Sequence, residues 1–160
     1  MLYCLRILLF PFLLFYSTNS ISLESDWSFG SESQVRIISP LTHVNFQSKL
    51  SLGIEYQLEA GWKTYWLSPG DGGFPQTINI KDSININNYK LEWPTPSEFE
   101  ILGIKSLGYS ESVIFPLTVF LKDPTKLTIL KLDINYLVCK HICIPGNANL
   151  LLKIPSGKGK

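Results

Sequence analysis

Residues 50–58 read LSLGIEYQL: Leu50, Leu52, Ile54, Tyr56 and Leu58 alternate with Ser51, Gly53, Glu55 and Gln57. Successive side chains on a strand point to opposite faces, so a period of two marks a strand buried on one face. Residues 127–138 (LTILKLDINYLV) follow the same rule, with Leu130, Leu132, Ile134 and Tyr136 on one face. Residues 33–38 (SQVRII), 76–80 (QTINI) and 148–154 (ANLLLKI) read as further strands. Residues 113–121 (VIFPLTVFL) are nearly all apolar, with Pro116 inside. Proline cannot donate to a ladder, which predicts an edge or a bulge there. The strongest breaks are residues 68–73 (SPGDGG) and 93–96 (WPTP). Thr95 with Glu98, and Pro96 between them, match a capping box, predicting at most one helical turn. Many short strands divided by turns indicate an all-β fold, an antiparallel β-sandwich.

The composition supports one such domain. The chain has 160 residues, 45% hydrophobic and 17% charged, enough apolar content for a core. A net charge of +1 gives no basic footprint for nucleic acid. The expected partners are a protein or a small redox molecule.

Residues 1–22 read as a separate object. Arg6 precedes the apolar run of residues 7–16 (ILLFPFLLFY), and small and polar residues follow. This is the layout of a secretory signal peptide cleaved after Ser20 or Ser22. The run is short for a bilayer span and carries Pro11. Of the three cysteines, Cys4 would leave with the signal, and export would bring the remaining pair, Cys139 and Cys143, into an oxidising compartment. Residues 23–155 then form the mature domain. Residues 156–160 (SGKGK) read as a linker or truncated tail.

Cys139 and Cys143 flank Lys140-His141-Ile142 and precede Pro145-Gly146. On a continuous flat strand their Cα atoms would stand about 13 Å apart. A disulfide needs roughly 4.4–6.8 Å, so a bond requires a turn through residues 140–142. Pro145 and Gly146 are expected to break regular pairing beyond it. The ring so closed would stabilise the fold by less than the ~3 kcal/mol of a 15-residue loop. A short, exposed disulfide is more often labile than structural, and cations at Lys140 and His141 would favour the thiolate. Two other readings stay open: a passive staple in a protein-binding sandwich, and a copper or zinc site of Cys139, His141 and Cys143 with His43 as a remote fourth ligand.

Several ordered motifs resemble a known family. They are residues 61–66 (GWKTYW), 68–75 (SPGDGGFP), 93–96 (WPTP), Gly108-Tyr109, Phe115-Pro116 and 136–145 (YLVCKHICIP). Together they look like the N-terminal periplasmic domain of DsbD-type and ScsB-type thiol–disulfide transporters, over residues 35–155. The four-residue cysteine spacing is tighter than in the best-known DsbD domains and looks like the ScsB-type branch. The resemblance implies an immunoglobulin-like sandwich with a redox-active Cys139/Cys143 pair and no other cofactor. Cys143 would attack the partner disulfide and Cys139 would resolve it. The implied partners are a membrane electron transporter and thioredoxin-like or other oxidised periplasmic proteins, in settings such as cytochrome c biogenesis or copper tolerance. The family's membrane and thioredoxin-like domains have no counterpart here, so the chain is expected to be part of a longer protein or a module docking on a separate transporter. A cap loop bearing an aromatic residue would fall near residues 100–103, with Leu102 in the aromatic's place and Phe99 as the alternative. On their own pattern, Trp62, Tyr65 and Trp66 read as sandwich core. Residues 69–73 read as a glycine turn; no helix pattern follows, as a phosphate loop would require.

Overall fold

The computed structural model describes residues 22–80 and 82–159. Of the expected signal, residues 1–22, all but Ser22 lie outside the described residues. The strands are β1 (Leu23–Glu24), β2 (Ser28–Phe29), β3 (Ser33–Ser39), β4 (Lys49–Leu58), β5 (Lys63–Gly70), β6 (Thr77–Asn79), β7 (Ile86–Leu91), β8 (Ser97–Ile101), β9 (Ile104–Ser110), β10 (Ser112–Leu121), β11 (Thr128–Cys139) and β12 (Cys143–Ile154). No helix occurs among the described residues.

Two antiparallel sheets form a β-sandwich. One runs β1-β3-β4-β10-β7, with β2 also on β3; the other runs β12-β11-β5-β9-β8, with β6 also on β11. Alternation does what the sequence predicts. Leu50, Leu52, Ile54 and Tyr56 of β4 meet Leu130, Leu132, Ile134 and Tyr136 of β11 in one buried core. Removing each such aliphatic or aromatic side chain from water contributes about 1.5–3 kcal/mol before entropy is charged against it. Phe115 anchors an aromatic cluster, with edge-on contacts to Tyr56, Trp93 and Tyr109 at centroid distances of 5.4, 5.3 and 5.1 Å.

Three local expectations are corrected. Strand β10 is interior, between β4 and β7, so Pro116 marks no edge. Its carbonyl accepts from the Glu92 N–H at 2.8 Å, beyond the last β7 rung at Leu117–Leu91. The proline therefore sits where β7 has already ended, and the ladder loses little. The irregularity in β10 comes later, between Phe120 and Leu121. The second correction concerns the capping box at Thr95, Pro96 and Glu98. Residues 92–96 are irregular and Glu98 lies in β8, paired with Leu107; strand pairing overrides the local signal. The third concerns Pro145 and Gly146, which stay in register opposite Leu137 and Tyr136. They can do so because β12 is an edge strand, where proline is tolerated.

Candidate functional site

Cys139 ends β11 and Cys143 begins β12, and the two are direct cross-strand partners. Residues 140–142 make the turn, closed by the Lys140 N–H on the Ile142 carbonyl at 3.0 Å. The turn brings the Cα atoms to 4.1 Å, and the sulfurs are joined in a disulfide.

Strand parity decides where this bond lies. Val138 points into the sandwich core, so Cys139, one residue on, points out of the opposite face. It is nevertheless 0% exposed. A second, small apolar cluster covers it, built from Tyr65 and Ile101 with Phe99 and Leu137 packed against them. Topology explains why its partner differs. At Cys139, β11 is flanked on both sides, by Cys143 of β12 and by Lys63 of β5. Cys143 lies on the edge strand and is exposed. The disulfide thus joins one buried and one exposed cysteine.

Tyr65 is the side chain at the disulfide that reading the sequence missed. Trp62 and Trp66 join the main core as expected, but Tyr65 faces the other way. Its hydroxyl donates to the Cys139 Sγ at 3.1 Å and lies 3.8 Å from the Cys143 Sγ. Burial raises its pKa above the ordinary 10.0, which keeps the proton on the oxygen. Strand parity carried the signal: Tyr65 is one residue past Thr64, whose buried hydroxyl donates to the Leu137 carbonyl at 3.0 Å. The register pairing Thr64 with Val138, which turns parity into contact, is a long-range fact.

The two cap candidates separate. Phe99 lies in the cover, its ring 5.7 Å from that of Tyr65 and tilted by 50°. The Lys63 ammonium stands 5.7 Å from the centre of the same Phe99 ring. Leu102 is at the tip of the β8–β9 hairpin and is 76% exposed. The two cationic candidates beside the cysteines, Lys140 and His141, both lie in the turn. The Lys140 Nζ donates to the Ala60 carbonyl at 3.0 Å, and His141 is exposed in the turn. Lys63, the cross-strand neighbour of Cys139, is the cation sharing its face. Because both sulfurs are joined to each other, neither is a free thiolate ligand. No group of three or more His, Cys, Asp or Glu among the described residues could hold a metal ion.

Among curated proteins none matches. The N-terminal periplasmic domain of ScsB from Proteus mirabilis is similar at 29% identity and a TM-score of 0.66, over 82% of this chain and 51% of that one. The chain thus spans about half the length of that structure. The reduced N-terminal domain of DsbD from Neisseria meningitidis matches at 10% identity and a TM-score of 0.43, over 88% of this chain and 87% of that one. Residues 34–155 fit the family described as thiol:disulfide interchange protein DsbD, N-terminal. The chain belongs to the DsbD N-terminal domain family.

Proposed function

We propose that the chain is a periplasmic thiol–disulfide exchange module, exported by residues 1–22. It would take reducing equivalents from a membrane transporter of the DsbD/ScsB type and pass them to oxidised periplasmic proteins, thioredoxin-like ones included. The observation that carries this reading is the asymmetric pair: an exposed Cys143 bonded to a buried Cys139. In the reduced protein the Cys143 thiolate attacks a partner disulfide, forming a mixed disulfide and expelling one partner thiolate. The Cys139 thiolate then attacks the Cys143 Sγ and releases the second partner thiolate. Two electrons leave the pair, and the Cys139–Cys143 bond is restored. A disulfide closing so small a ring adds little stability as a staple, which also favours exchange.

The reduction potential tests the proposal. The chain is equilibrated in thiol buffers, trapped with an alkylating mass tag and read by mass. A potential of roughly −120 to −270 mV is expected for a working pair. A value below about −300 mV would identify a structural staple and remove the exchange reading.

A further inference from the structure

The buried Cys139 poses a chemical problem. When an incoming thiolate attacks the Cys143 Sγ, a bond forms between those two sulfurs and the Cys139–Cys143 bond breaks. The electron pair goes to the Cys139 Sγ, which becomes a thiolate with no exposure to water. Its surroundings are Tyr65, Ile101, Phe99 and Leu137; the charged neighbour, Lys63, is its cross-strand partner, with the ammonium out over the Phe99 ring at 5.7 Å. An anion in such a setting is disfavoured unless a donor replaces the lost water.

We propose that Tyr65 is that donor: its hydroxyl, carried on a ring backed by Gly73, stabilises the Cys139 thiolate as leaving group and as resolving nucleophile. Two observations support this independently. The first is the 3.1 Å approach of the hydroxyl to the Cys139 Sγ, shorter than its 3.8 Å approach to the Cys143 Sγ. The second is the backing of the ring. Gly73 has φ +90°, and a Cβ there would stand 2.2 Å from the Tyr65 Cε1. The loop therefore presses bare backbone against the ring, leaving it little room to swing away from the sulfur. Tyr65 keeps its proton throughout and acts as a hydrogen-bond donor, not as an acid. The bond favours charge on the inner sulfur, so it directs attack to Cys143.

This inference rests on the exchange reading but is tested apart from it, by a thiol titration that needs no partner. In the full chain carrying Cys4→Ser and Cys143→Ala, Cys139 is the only thiol, and its ionisation is followed by thiolate ultraviolet absorbance. Tyr65→Phe keeps the ring and removes the hydroxyl; the thiolate fraction at a given pH below the pKa should fall about tenfold. A change below about twofold in a folded variant overturns the proposal. Should Tyr65→Phe not fold, fluorotyrosine incorporation strengthens the donor without removing it. The Cys139 pKa should then fall, and an unchanged or higher value overturns the proposal. With both cysteines present, the pH profile for collapse of a glutathione adduct on Cys143 should shift upward in Tyr65→Phe; an unmoved profile overturns it too. A wild-type pair with a staple's potential would instead end the exchange reading, leaving the titration result intact.

Discussion

The Phe99 ring lies 5.7 Å from the Tyr65 ring, and the two together close the outer face of the sheet over Cys139. The cover is separate from the sandwich core and small enough for a single side chain to matter.

Phe99→Ala should open it. Because Phe99 is only partly buried, the stability loss is expected at about 1–3 kcal/mol, below that of a fully buried phenylalanine. Reduction of the disulfide by a small dithiol should become several-fold faster. Leu102→Ala should change neither quantity appreciably, since Leu102 is 76% exposed. Stopped-flow reduction and thermal unfolding of the two variants check this; equal effects would remove Phe99 as the shield.

The two sulfurs should also differ in solution. In a Cys4→Ser background, Cys139→Ala leaves the exposed Cys143 as sole thiol, and Cys143→Ala leaves the buried Cys139. Reaction with a chromogenic disulfide should be about tenfold or more faster for the former, because access as well as thiolate character sets the rate. Similar rates would contradict the assignment of Cys143 as the attacking thiol.

Leu102 occupies a conformation that suits it poorly. It has φ 55° and is followed by Gly103 at φ 80°, the two-residue hairpin turn in which both centres are left-handed. Leu102→Asn should raise stability by about 0.5–1 kcal/mol, since asparagine tolerates this region better than leucine. Thermal unfolding of the single variant reads the gain.

Tyr136 reaches across the sandwich to Ser33, hydroxyl to hydroxyl at 2.9 Å in a buried setting. Tyr136→Phe should cost about 1–2 kcal/mol, since it leaves the Ser33 hydroxyl unpaired. The redox potential should not change. Denaturant unfolding together with the thiol-buffer titration separates the two effects.

Acid should weaken the loop after β10. The Thr125 hydroxyl and backbone N–H, with Lys126 beside them, lower the Asp123 pKa from 3.8 to about 2. A carboxyl with a depressed folded pKa stabilises above its unfolded pKa, and that contribution fades as pH falls from about 4 towards 2. Asp123→Asn should therefore flatten the melting temperature against pH over this window and alter its slope little above pH 5. A melting series across acid pH checks the sign.

The sandwich was legible in the sequence because burial imposes a period of two, and residues 50–58 and 127–138 display it openly. The cysteine turn was legible too, because chain geometry allows a bond between residues four apart only through a turn. Pro116, Pro145 and the Thr95–Glu98 box misled because their local signals ignore which neighbour is present: β7 ends before Pro116, and β12 has none outside Pro145. Tyr65 stayed hidden for a related reason. An aromatic-rich strand looks like core from its own residues, and only the register of β5 on β11 and the hairpin beyond it reveal a second buried face.

Strand β12 is one edge of its sheet, and an open edge offers a rail of N–H and C=O groups to any extended peptide that arrives. Pro145 lies two residues from Cys143 and stays opposite Leu137, so the rail lacks a tie at the sulfur end. Proline on an edge strand hinders annealing of a continuous added strand, whether from a visiting chain or from a second copy. On the proposed exchange reading, a partner that meets Cys143 at this end gains few main-chain ties and can leave again without unpicking a ladder.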